Sequence, residues 1–288
     1  MKFFADTASL EEISYCFSRG VNDGITTNPK IMEVTGDLSL GFLGACRAIL
    51  EKYSDVPVSL ETDLDGVDIQ ALTPIDPKII RNRLLRQAYD LSKLGRNVVV
   101  KIPVCAGGIL ATEELSRQGI KTNVTACMTP YQALEAAEAG ATYVSLFSNR
   151  MLDSHLLALS GNALEEILTN PGWKQLVSSA RKDYLEEAWN LTLGQISYVA
   201  ERLETSSASL IVGSIRSSDD IYRIASSEPQ IITIPTKIVE GLNNVPQIKQ
   251  TKRLPFDYAR VNTGNSLLHP MTTYTLDEFE KAADTYRK

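Results

Sequence analysis

The chain has 288 residues, 43% hydrophobic and 22% charged, an ordinary globular composition long enough to bury a large core. A net charge of -6 and a pI near 5.2, with no basic run, argue against nucleic acid or anionic membrane as main partners. The opening "MKFFADTASLEE" lacks the apolar run of a signal peptide, no window approaches a membrane span, and Cys16, Cys46, Cys105 and Cys127 read as reduced thiols, so a cytoplasmic protein is expected.

In chain order, short apolar strands alternate with longer helical patterns. "KFF" leads to a helix from about Ser9, and "GITTNP" to a helical stretch ending near Tyr53. "VPVSLE" passes through a Pro-containing loop, Leu64 to Pro77, into a helix reaching about Leu94. "NVVVKIP" precedes a helix near Gly108 to Gln118, and "IKTNVT" one from Pro130 to Ala139. "TYVSLF" is followed by a long helical region, roughly Gly161 to Glu204, broken at "NPGW". "SLIVGSI" leads to a helix opening "SSDD", and "QIITIPT" to a short helix near Lys237.

Eight strand–helix units imply parallel pairing with right-handed crossovers. The expected fold is α/β, a (β/α)8 TIM barrel with additional helices over residues 1–244. A doubly wound sheet is the alternative, but no G-x-G-x-x-G follows the first strand. Residues 245–288 leave the pattern and end in a helix, "TLDEFEKAADTYRK"; they read as a C-terminal extension packed on the barrel.

Barrel active sites gather at the C-terminal ends of the strands. Those ends carry Asp6, Thr27 and Asn28, Ser59 and Glu61, Lys101, Asn123 and Thr125, Ser145 then Arg150, Ser214 and Arg216, and Thr233. Each has an ordinary reading alone: Asp6 as a helix cap, Asn28 before Pro29 as a turn, Lys101 snorkelling to the rim, Ser214 as a cap. Their convergence on one mouth favours chemistry. A lysine closing the apolar run "VVVKIPV", with carboxylates near, is the setting of an amine nucleophile, because burial disfavours the ammonium. With only His155 and His269 as histidines, neither a metal site nor a histidine-based triad is expected.

"FFADTASLEEI", "GITTNPKIM", "VSLE", "VVVKIPV", the block "GIKTNVTACMTPYQALEAAEAGATYVSLFSNR" and "GSIR" together resemble the transaldolases and fructose-6-phosphate aldolases, in the same order from Phe3 to about Thr236. The resemblance implies a class I transferase of carbohydrate metabolism, in the pentose phosphate pathway, needing no cofactor. Lys101 would form the Schiff base and Asp6 would move the hydroxyl proton. Glu61 and Thr125 would hold the water of carbinolamine chemistry. Thr27, Asn28, Asn123, Ser145 and Phe147 would line the substrate site, with Arg150, Ser214 and Arg216 clasping the terminal phosphate. Glu61 and Phe147 match transaldolases, where the aldolases have glutamine and tyrosine.

Lys30 replaces a small hydroxyl residue after "TTNP", and "SLFSNR" brings Leu146, Ser148 and Asn149 beside the anion site. Lys30 and Asn149 are candidates for altering the preferred sugar or anion, a sulfonated sugar included. Cys105 and Gly107 change the loop after "KIPV". The alternatives are a fructose-6-phosphate aldolase-like enzyme, a sulfofructose-type transaldolase, and a non-catalytic sugar-phosphate-binding barrel. The long helical region would cover the barrel or make a subunit contact, and a homo-oligomer is expected.

Overall fold

Runs of β-branched and apolar residues form eight short strands: β1 Lys2–Asp6, β2 Gly24–Thr26, β3 Val58–Glu61, β4 Val98–Pro103, β5 Thr122–Cys127, β6 Tyr143–Phe147, β7 Ser209–Gly213 and β8 Ile231–Ile234. The computed structural model describes every residue except 65, 68–74, 244, 257 and 287–288. All eight strands pair in parallel and in sequence order, and β8 closes on β1 to complete the barrel.

Outward positions such as Phe3, Ala5, Val58, Leu60, Val100 and Ile102 join one core with the surrounding helices. Alternate positions point inward. Inside, Phe4, Ile211 and Ile231, with Tyr143 against them, make an apolar floor. Gly24 is required there, because a Cβ would lie 2.6 Å from the Phe4 ring. One pleat repeat further along, the inward residues turn polar.

The helices are α1 Leu10–Ser18, α2 Pro29–Thr35, α3 Gly41–Lys52, α4 Pro77–Ser92, α5 Ala106–Arg117, α6 Pro130–Glu138, α7 Ser148–Leu159, α8 Glu166–Thr169, α9 Trp173–Arg202, α10 Ser218–Ala225, α11 Thr236–Val239, α12 Val245–Lys249 and α13 Pro270–Ala283. Ser9, Asn28, Cys105, Thr129 and Ser217 each accept a bond from a first-turn amide, satisfying donors that the helix leaves open. Ser9 thus takes the capping role open to Asp6. Gly107 lets α4 and α5 approach, since its Cβ would lie 2.5 Å from Ile80 and 2.8 Å from the Pro77 carbonyl.

The helical region expected over Gly161 to Glu204, broken at "NPGW", is present as α8 and α9, and α7 precedes it. α7 starts directly at the end of β6, at Ser148, and Gly161, at φ +78°, follows its end. Ser148 and Asn149, in the polar first turn of α7, are buried and hydrogen-bonded to the end of β7. Of the loop expected from Leu64 to Pro77, residues 65 and 68–74 lie outside the described set.

The last helix, α13, lies on α2, α7, α8 and β5. Thr272 donates to the Ala126 carbonyl at 3.0 Å, and Gln132 on α6 donates to the Leu267 carbonyl at 2.9 Å. Among the described residues no helix is long and apolar enough to cross a membrane.

Candidate active site

Strand register sets the first row of the site. Glu61 on β3 pairs with Lys101 on β4, and Lys101 with Asn123 on β5, so three inward polar residues stand side by side. Lys101 is only 4% exposed; its Nζ lies 2.8 Å from Glu61 Oε2 and donates to the Thr27 carbonyl at 3.0 Å. A buried ammonium is tolerated here because a carboxylate and a carbonyl face it. Burial pushes the Glu61 carboxyl up to about 7; Lys101 opposes that shift, and Asp6 and Asp63 add to it.

Asp6 stands across the barrel interior on β1, beside Thr26 of β2 in register. Thr26 donates to its Oδ1 at 2.6 Å and is itself hydrogen-bonded to Thr233 of β8. Burial raises the Asp6 pKa above the usual carboxylate range, against the pull of Lys101 and the two threonine hydroxyls. Two carboxyls with raised proton affinity therefore flank one amine, an arrangement typical of acid–base sites.

Ser145 donates to Asn123 Oδ1 at 2.7 Å, and Asn123 donates to the Ser59 hydroxyl at 3.2 Å. Thr125 Oγ1 is buried with no hydrogen-bond partner among the described residues. Thr27 spends its hydroxyl on the Ser59 carbonyl at 2.9 Å, so its backbone carbonyl, not its side chain, serves Lys101. Asn28 caps α2 through Oδ1, which accepts from the Ile31 amide at 2.8 Å.

Above this layer opens a cavity of about 210 Å³ that reaches Asp6, Asn28, Lys101, Ser145, Phe147 and Arg150, with Ser214 and Lys30 at its wall. The set proposed from the strand ends is thus largely brought together. Thr27, Glu61, Asn123 and Thr125 stand behind the wall, and Arg216 does not reach this cavity. Lys30 pairs with Glu33 at 2.5 Å on α2.

Two wall residues had no signal in the sequence: Thr275 and Phe279 of α13. The Phe279 ring centroid lies 6.0 Å from Lys101 Nζ and 6.3 Å from that of Phe147. A terminal amphipathic pattern shows that a helix forms, not which cavity it covers.

At the end of β7, Ser214 adopts φ +64°, a left-handed conformation costly for a residue with a Cβ. Its carbonyl accepts from Asn149 Nδ2 at 2.8 Å. Asn149 also donates to Asp220 Oδ2 at 2.7 Å, and that same oxygen accepts the Arg216 amide at 2.8 Å. Asn149, a candidate for contacting the anion, is 1% exposed and instead clamps the Ser214–Arg216 loop. The two arginines are held by carboxylates: Arg150 by Glu278 of α13 at 2.5 Å, and Arg216 by both oxygens of Asp153, at 2.8 and 2.5 Å.

Among the described residues no three His, Cys, Asp or Glu side chains are grouped to hold a metal ion. The family described as Transaldolase/Fructose-6-phosphate aldolase matches residues 3–288, which carries the likeness past Thr236 and through the C-terminal extension. A probable transaldolase of Bdellovibrio bacteriovorus is 32% identical over 247 residues, covering 85% of this chain and 91% of its own. One of Syntrophobacter fumaroxidans is 34% identical over 85% of this chain and 90% of its own, and one of Aquifex aeolicus 42% identical over 59% and 69%. With a closed eight-stranded barrel, a buried lysine between two carboxyls, and a family match along nearly its whole length, the chain belongs to the transaldolase/fructose-6-phosphate aldolase family.

Proposed function

We propose that this protein is a transaldolase, moving a dihydroxyacetone unit from a ketose phosphate to an aldose phosphate through an imine on Lys101. The observation that carries this reading is the buried Lys101 ammonium 2.8 Å from a carboxyl pushed up to about 7, at the base of a cavity shared with Asp6.

An amine attacks a carbonyl only after losing its proton. Glu61, when ionised, takes that proton from Lys101, and burial, which pushes its carboxyl up to about 7, raises its affinity for the proton. Nitrogen then adds to the ketose carbonyl carbon. The carbinolamine hydroxyl leaves as water after accepting a proton from the Glu61 carboxyl. The resulting iminium draws electrons. Asp6 removes the proton of the adjacent hydroxyl, the carbon–carbon bond beyond the three-carbon unit breaks, and its electron pair flows to the iminium nitrogen as an enamine. An aldehyde departs. An acceptor aldehyde reverses the sequence, Asp6 returning the proton to the new alkoxide.

Phe147 and Phe279 bring apolar rings to the cavity that holds the three-carbon enamine, and neither has a hydroxyl to activate water. That favours transfer over hydrolytic release, and so transaldolase over fructose-6-phosphate aldolase. A purely binding barrel would gain nothing from burying Lys101, Glu61 and Asp6 together, given the desolvation involved.

Borohydride reduction in the presence of fructose 6-phosphate should trap an adduct that peptide mapping places on Lys101. Turnover should be slow without an acceptor and fast with erythrose 4-phosphate. Adduct on Lys30 or Lys121, or cleavage equally fast with and without acceptor, would overturn the assignment.

A further inference from the structure

Beside the carbonyl-binding cavity lies a second one of about 340 Å³, and Arg150 belongs to the walls of both. Its other charged walls are Arg216, from the loop after β7, Asp153 of α7, and two residues of α9, Lys174 and Arg181. Strand-end reading could not find the α9 pair, because α9 is a crossover helix whose first half stands far from any strand end in sequence.

The charges are not evenly matched. Asp153 is buried and already grips Arg216 through both oxygens, while Arg181 reaches Oδ1 only at 3.3 Å. Lys174 has no carboxylate within ion-pair distance among the described residues. Its ammonium lies 5.6 Å from the ring centroids of both Trp173 and Tyr274. Arg150 sits 5.2 Å from the same Tyr274 ring, so one aromatic side chain of α13 gathers two like charges. Four cations face Asp153 and Glu278, with Asp220 behind Arg216, in a chain whose net charge is -6. Lys174 and Arg216 are exposed and Arg150 and Arg181 half-buried, and like charges held together attract an anion with a strength that scales with its charge.

We propose that Lys174 and Arg181, with Arg150 and Arg216, form an extended anion subsite that selects a terminal phosphate dianion over a sulfonate monoanion. The proposal rests on the ketose-transfer reading and deepens it. The positive excess at this wall is offset more fully by a phosphate dianion than by a sulfonate monoanion of the same shape. Arg150 and Arg216, each tied to a carboxylate, orient the tetrahedral group; Lys174 and Arg181 supply the charge that distinguishes the two anions.

The test is the double variant Lys174→Met, Arg181→Met, with Lys174→Gln and Arg181→Gln singly as guards against misfolding. The specificity ratio kcat/KM is measured for fructose 6-phosphate against the same ketose ending in a sulfonate. That ratio should fall about ten-fold in the double variant, through KM for the phosphate substrate, as for loss of charge-assisted contacts. A ratio within about two-fold of the parent's overturns the proposal. Calorimetric titration with inorganic phosphate and with methanesulfonate reads the subsite without any turnover. Phosphate should lose affinity in the variant while methanesulfonate changes far less; equal losses for both would also overturn it. If no ketose is turned over, the transferase reading fails and the calorimetry still decides the subsite.

Discussion

Lys101 keeps a charge inside the barrel because Glu61 and the Thr27 carbonyl compensate it, and Glu61, 2.8 Å away, is the carboxylate placed to accept its proton. In the proposed mechanism imine formation needs ionised Glu61, and burial pushes that carboxyl up to about 7. The rate of borohydride-trapped adduct should therefore rise as pH increases through about 7 and level off above it. Below that pH Glu61 is protonated and cannot accept. Glu61→Gln should remove this limb and slow adduct formation by about 10²–10⁴-fold, the usual contribution of a positioned acid–base group. A limb that persists in the variant would assign the titration to another group. Asp6, also raised, stands on a different strand, β1, and in the proposed mechanism acts on a different proton.

Among the elements, α13 has the most consequence for chemistry. It carries Phe279 to Lys101, Thr275 to the cavity wall, Glu278 to Arg150 and Tyr274 to the same arginine. Phe279 is 8% exposed and roofs the reacting layer. Phe279→Ala should lower stability by about 3–5 kcal/mol in denaturant unfolding, the range for an aromatic side chain removed from a packed site. It should also admit water, so that more free dihydroxyacetone is released per transfer event. Chromatography of the products measures that partition; an unchanged partition would mean the ring only packs. α7 shows a different economy: its polar first turn is consumed by internal hydrogen bonds that hold Ser214 at positive φ.

At the scale of the molecule, an apolar floor supports a polar reacting layer. The floor is Phe4, Tyr143, Ile211 and Ile231, and Gly24 leaves the space the Phe4 ring fills. Gly24→Ala should cost about 1–3 kcal/mol through overpacking. The thermal midpoint should drop by roughly 2–8 °C at this size. Calorimetry checks it, and a midpoint that does not fall would show that the floor can yield. Because the floor closes the barrel below the site, stability should respond before KM does.

What the sequence alone determined is the repeating part. Eight apolar runs alternating with helical patterns admit few parallel topologies, and period-two alternation within each strand already assigns Asp6, Glu61, Lys101, Asn123 and Ser145 to one interior. Local rules suffice there, because neighbours in a barrel are successive strands. Contacts between residues far apart in the chain were decided by tertiary packing. The pairing of Arg216 with Asp153, the gathering of Lys174 and Arg150 around Tyr274, and the roof made by Phe279 join elements separated by tens to more than a hundred residues. For Asn149 and Thr27 likewise, only the folded neighbourhood shows which carbonyls their side chains bond. Strand spacing names the residues that face inward; the helices that settle over the barrel mouth determine which of them a substrate can reach.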